Sequence, residues 1–310
     1  MSFSEAPAPD SSEPGSPALA SLISARPRDL GGIGVGRVLP AAARRSVGPF
    51  VFLDHMGPSV LEAGHGVDVG PHPHIGLATV TYLFAGEVVH RDSLGSEQLI
   101  RPGDINWMTA GRGIAHSERT PAAARTTGGR VHGLQLWVAL PTASEESEPA
   151  FHHHPARALP ELDDGGIRLR VLVGSAYGAV SPVATFSPLF YVEATLPAGA
   201  RLALPAEHAE RAVFVVEGRV AVAEAGLGPD QLGVFTPGAA PPLVAEAPSR
   251  IALLGGAPLE GPRHIWWNFV SSSKARIEQA ARDWQAGSFP RIPGDDGKLV
   301  PLPEWPKNIR

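Results

Sequence analysis

The 310-residue chain contains no cysteine. Disulfide frameworks, thiolate zinc sites, iron–sulfur clusters, cysteine nucleophiles and CxxC redox pairs are therefore excluded. Any metal site must be built from nitrogen and oxygen ligands, and twelve histidines are available for it. Long Lys/Arg runs are also missing, and the net charge is −5. That argues against direct nucleic-acid binding, which is mainly electrostatic. No run of about 18 apolar residues exists, so no membrane span is expected. The opening MSFSEAPAPDSSEPGSPALA lacks a basic segment followed by an apolar one. No secretory signal is expected, and the chain reads as cytoplasmic.

What is present points to β-structure. Hydrophobic residues make up 43% of the chain, enough for real cores, while 35 glycines and 32 prolines imply many turns and few long helices. Residues 1–22 are Ser/Pro/Ala/Glu-rich and aperiodic, and are expected to form a disordered tail. Short strands are then predicted at Val51–Leu53, Thr79–Phe84, Val88–Asp92, Gln98–Ile100, Ile105–Met108 and Leu134–Ala139, separated by Gly- and Pro-bearing turns. Strands at this spacing suggest an all-β sandwich or barrel. Residues 143–166 are polar and Pro-rich and read as a linker. Beyond them the strand pattern restarts at Leu189–Thr195, Ala212–Val216, Val220–Ala223, Leu232–Phe235 and Arg250–Leu254. Phe214-Val215-Val216-Glu217-Gly218 echoes Tyr82-Leu83-Phe84-Ala85-Gly86. Two related β domains follow, at 23–142 and 167–310. Ser271–Ala286, with serines to cap its start and Gly287 beyond its end, is predicted to be a C-terminal helix within the second.

The strongest chemical signal is His72-Pro73-His74, followed by His116-Ser117-Glu118. In a strand, residues i and i+2 point to one face, so each triplet presents two ligand-capable side chains together. Pro71 and Pro73 favour extended backbone around His72. The intervening strands are enough to wrap a small barrel and set the two triplets face to face. His72, His74, His116 and Glu118 then form a four-ligand set with up to two open positions on an octahedral ion. That composition suits one divalent metal, Fe(II) first, with Mn, Ni, Cu or Zn as alternatives. A lone histidine in a turn is usually solvated; two separate pairs in strands are a different matter.

Other motifs carry less. Gly31-Gly32-Ile33-Gly34-Val35-Gly36 lacks the GxGxxG spacing and reads as a turn and strand start. His116-Ser117-Glu118 matches the HxE of zinc deaminases, but those need cysteines this chain lacks. His152-His153-His154 is expected in a solvated loop. Asp54-His55 could support the metal residues or make a structural hydrogen bond. Gln135 could reach the barrel mouth. Trp266-Trp267 is expected to pack the two halves together.

The run GPHPHIGLATVTYLFAGEVVHRDSLGSEQLIRPGDINWMTAGRGIAHSERTP, with GPFVFLDHMGP before it and VHGLQLWVALP after it, resembles the N-terminal domain of the pirin family in the cupin superfamily. The C-terminal half resembles the family more loosely, through GGAPLEGPRHIWWNFVSSSKARIEQA. The resemblance implies two tandem jelly-roll-like cupin barrels and a monomer. It places the metal on His72, His74, His116 and Glu118 of the N-terminal domain. General cupins carry their Glu after the first HxH, near Thr79 here; Glu118 taking that role is itself pirin-like. His208-Ala209-Glu210 has no second histidine partner, so the second cupin is expected to be metal-free and His208 a surface residue. Some pirins cleave flavonols with O₂, in the manner of quercetin 2,3-dioxygenase, which would make Glu118 a catalytic base and a flavonol-like molecule the substrate. Others are regarded as regulatory proteins. That alternative is a metal- or redox-responsive cofactor acting through a protein partner.

Overall fold

A computed structural model describes residues 17–30 and 32–304. The expected tail therefore lies, for residues 1–16, outside the described residues. The chain folds into two compact units. Among the described residues, one comprises 27–30, 32–35, 56–156 and 259–304; the other comprises 17–26, 36–55 and 157–258.

In the unit holding the histidine triplets, a four-stranded antiparallel sheet runs in the order Asp68–His74, Ile114–Arg119, Val88–Asp92, Glu97–Ile100. A larger sheet begins Ala150–His154, Ile105–Thr109, Leu77–Ala85, Gly129–Ala139. The two sheets face each other. Trp137 packs edge-on against His74, Phe151 stacks on His90, and Thr81 donates to Glu118 across the interior. The predicted strands of this half all lie within observed ones, because period-2 alternation and β-branched residues suit a pleated surface with a buried face.

The helix is Lys274–Gln285, capped by the Ser273 hydroxyl, which accepts from Arg276 N–H. It buries Ile277, Ala280, Ala281 and Trp284, spaced as one helical face. These pack with Ile75, Ala115, Trp266, Phe269 and Ile292. The helix thus belongs with the histidine-bearing unit, not with 167–258 as its sequence position suggested. Its apolar face matches the outer side of the strands that carry the triplets. Trp266 and Trp267 join that same core, against Phe269 and Trp284, rather than joining two halves.

The segment read as a linker is structured as well. Ala150–His154 pairs with Ile105–Thr109, and Glu161–Asp164 pairs with Ile167–Ala176. Leu19–Ser24, which begins inside the expected 1–22 tail, pairs with Gln231–Phe235. All three are the terminal strands of their sheets. Edge strands tolerate polar residues and flanking prolines that a central strand would not, which is why composition misread them.

The other unit has its own pair of sheets. The larger contains Leu19–Ser24, Gln231–Phe235, Glu210–Glu217, Ser249–Gly256, Leu189–Leu196 and Ile167–Ala176 in that order; the smaller contains Arg201–Leu202, Leu243–Ala245, Val220–Val222 and Ala225–Leu227. Its core is filled with apolar side chains, among them Phe190, Val192, Val213, Val215 and Leu253.

A buried ion pair ties the triplet-bearing unit together. Arg263 Nε donates to Glu145 Oε1 at 2.9 Å, and Glu145 also accepts from Ser271 Oγ and Ser272 N–H. Replacing Glu145 with alanine leaves Arg263 charged and buried, so a loss of about 3–5 kcal/mol is expected. A urea midpoint unchanged in that variant would show that the pair does not hold the unit.

Candidate metal centre

Strand register brings the two triplets together. In the antiparallel pair of Asp68–His74 with Ile114–Arg119, His116 lies opposite His72 and Ile114 opposite His74. On its other side His116 lies opposite Asp92, and Glu118 lies opposite His90. The alternation is visible on the reverse face, where Ser117 and Arg119 both bond Asp295. His72, His74 and His116 each offer a ring nitrogen within 4.8 Å of the others, and all three are buried.

The outer nitrogens of these rings are occupied. His72 Nδ1 bonds Gly70 O at 2.9 Å and His74 Nδ1 bonds Asn268 O at 3.0 Å. A carbonyl only accepts, so both Nδ1 atoms carry the hydrogen. Burial drives the His72 pKa from 6.5 down to about 4, against the bond to Gly70, with His90 adding to the fall. Burial, followed by neighbouring histidines, lowers His74 and His116 well below the ordinary value. Uncharged rings protonated at Nδ1 expose a lone pair at Nε2. His74 Nε2 and His116 Nε2 face each other at 3.1 Å. Three buried, uncharged imidazoles converging in this way could hold a divalent metal.

Glu118, half-buried, follows His116 by two residues on the same strand, but its carboxylate is not among the ligand atoms that converge within 4.8 Å. Enclosure of its carboxyl raises its pKa, opposed by His90 and by the hydrogen bond from Thr81. Facing it from the larger sheet is a polar row. His153, Asn106, Thr81 and Gln135 are successive cross-strand partners, and His153 Nδ1 bonds Asn106 Oδ1 at 2.8 Å. The row shares a face with Trp137, which touches His74. Gln135 Oε1 is buried with no hydrogen-bond partner among the described residues.

Other expectations resolve differently. Asp54 is held by Arg37 through two 2.8 Å bonds, and His55 by Asp230 at 2.7 Å, in the second unit. Both are structural. His152–His154 lie in an edge strand rather than a loop. His208 is buried, bonded to Ser175 O at 2.8 Å and packed on Phe190. It is not a surface residue, because its ring completes an aromatic contact and its nitrogen satisfies a strand carbonyl. Among the described residues, no second metal-ligating group comes together. Sequence reading missed Asn268 and the pair His90 and Asp92. Asn268 follows Trp267, which adopts φ 53°, in the two-residue turn of the Trp266/Phe269 hairpin. No local pattern links that turn to His74.

The fold and the buried histidine cluster define a two-domain cupin whose first unit gathers three histidines that could hold a metal ion. The chain belongs to the pirin family. The family description "Pirin" matches residues 32–138, and "Pirin C-terminal cupin domain" matches 191–290. A pirin-like protein of Caulobacter vibrioides is 53% identical, over 91% of this chain and 99% of its own length. The crystal structure of quercetin 2,3-dioxygenase from Acinetobacter baumannii superposes with a TM-score of 0.87 at 36% identity, covering 94% of this chain and 97% of that one. The Escherichia coli pirin crystallised with nickel(II) shares the fold, with a TM-score of 0.61 at 20% identity, covering 77% and 99%.

The depressed histidines tie stability to pH. Between about 4 and 6.5, His72 is neutral when folded and protonated when unfolded. Its contribution is therefore complete above pH 6.5 and is lost as pH falls towards 4. The metal-free protein is expected to weaken from pH 7 to pH 5. His72→Leu should flatten that slope by up to about 1.4 kcal/mol per pH unit. Urea titrations across that range check this, and equal slopes would contradict it.

Proposed function

We propose that the protein is a metal-dependent dioxygenase that cleaves flavonols, of the quercetin 2,3-dioxygenase type, with Fe(II) bound by His72, His74, His116 and Glu118. The observation that carries the reading is the convergence of three buried imidazoles, two of them turned Nε2-inward by carbonyls behind Nδ1 and the third on the strand that also carries Glu118, a carboxylate of raised pKa. The donor set fits the ion: three neutral imidazoles already stripped of the competing proton, plus one carboxylate on the same face. A divalent ion bound there supplies Lewis acidity towards substrate oxygens and a centre for oxygen chemistry.

The chain's own residues do the rest. Glu118 takes the proton of the flavonol 3-hydroxyl as general base. Its raised pKa brings it nearer the working range for that task than an exposed glutamate. Thr81 donates to Glu118 Oε1 at 3.2 Å and orients the carboxylate. Trp137 and Phe151 supply apolar walls, resting on His74 and His90. Gln135 Oε1, without a protein donor, is placed to accept a substrate hydroxyl. A flat polyphenol combines aromatic faces with hydroxyl groups, which suits this mixture of apolar wall and polar row. The proposed assembly is a monomer in the cytoplasm.

Three variants test the reading by metal analysis and an aerobic flavonol assay with carbon monoxide detection. Glu118→Gln should keep much of the metal and lose turnover by about 100-fold or more. Full turnover in that variant would remove Glu118 from its role as base. His116→Ala should lose the metal, and full occupancy there would contradict the ligand set. Gln135→Leu should raise KM for flavonols while leaving metal content unchanged; an unaltered KM would show that Gln135 does not contact substrate.

A further inference from the structure

His116 differs from the other two histidines in how its outer nitrogen is held. His72 and His74 rest on backbone carbonyls. His116 Nδ1 instead lies 3.3 Å from His90 Nδ1, and His90 Nε2 lies 3.0 Å from Asp92 Oδ2. All three residues are buried. Asp92 Oδ1 accepts from Leu94 N–H and Ser96 N–H, and the ring of His90 is clamped flat against Phe151 at 4.2 Å. The chain of contacts is therefore fixed at both ends.

Hydrogen-bond direction along it follows from the inventory of donors. An ionised Asp92 can only accept, so His90 Nε2 carries a hydrogen and donates. A neutral His90 then has a bare Nδ1, which can only accept. His116 Nδ1 must supply that hydrogen, which leaves His116 Nε2 free. The opposite tautomer puts a hydrogen on His116 Nε2, the atom that meets His74, and needs a second hydrogen on His90. We propose that Asp92 and His90 form a positioning pair that locks His116 in its metal-competent tautomer and orientation. Donation from the carboxylate through the two rings also makes His116 a stronger donor to the ion. Of the three histidine ligands, it is the one that side chains, not backbone, hold in place. Hydrogen-bond partners behind a ligating histidine commonly govern metal affinity in this way.

The inference rests on the reading of the three histidines as metal ligands, and the test separates the two. Zn(II) affinity is measured by competition with a chromophoric chelator in the unchanged protein, His90→Phe and His90→Asn. The melting temperature of each metal-free protein is recorded alongside. Phenylalanine keeps the stack on Phe151 but removes the acceptor; asparagine restores an acceptor near the Nδ1 position. His90→Phe should bind Zn(II) about 10–100-fold more weakly, and His90→Asn should recover much of the loss. Imidazole nitrogen NMR of the Zn(II)-loaded unchanged protein should show His116 protonated at Nδ1 and His90 at Nε2. Undiminished affinity in His90→Phe, equal losses in both variants, or His90 protonated at Nδ1 would each overturn the positioning role. Absence of Zn(II) uptake by the unchanged protein would overturn the metal reading itself, and this inference with it.

Discussion

Three uncharged imidazoles packed together with their lone pairs inward are the constraint on which this molecule turns. Burial removes the charge that would otherwise keep the rings apart in water. Hydrogen bonds behind the rings take the remaining proton away from the centre. What is left is a polar cluster inside the barrel, with His74 Nε2 and His116 Nε2 3.1 Å apart. A divalent cation suits that arrangement, because it can take a lone pair from each ring at once.

The rest of the histidine-bearing unit keeps that cluster rigid from both sides. Inside, Trp137 and Phe151 pack against the rings. Outside, the C-terminal segment grips the same strands: Asp295 bonds Ser117 and Arg119, and Val300 N–H donates to Pro71 O. Gly76, two residues after His74, adopts φ 67°, and a side chain there would collide with the Val270 carbonyl. Only glycine lets the hairpin come close enough for the Asn268 carbonyl to meet His74. The second unit shows the contrast. Its interior is filled by Phe190, Val213, Leu253 and their neighbours, which leaves no room for such a cluster.

Much of this was legible in the chain itself. The alternation of Thr79–Phe84 and Leu134–Ala139 specifies strands because one face of each must be buried. His72, His74 and His116 were recognisable because i, i+2 spacing on a strand is a geometric statement. Glu118 has the same spacing from His116, but its carboxylate does not join the three converging rings. What escaped were features whose meaning depends on a distant partner. Edge strands such as Ala150–His154 look like linkers, since polar residues suit an edge and a loop equally. His208 looks like a surface histidine until Phe190 and Ser175 are brought beside it.

The absence of cysteine and the two histidine-bearing triplets determined that this protein gathers histidine nitrogens on neighbouring β-strands. Those are local facts, fixed by side-chain chemistry and the period of a strand. Tertiary structure alone decided how the donors are held. Asn268 reaches His74 across 194 residues of chain, the Asp92 carboxylate bonds His90, whose ring in turn meets His116, and the C-terminal helix joins the unit of the triplets rather than its sequence neighbours. Each depends on packing between segments far apart along the chain, and no local pattern carries that information.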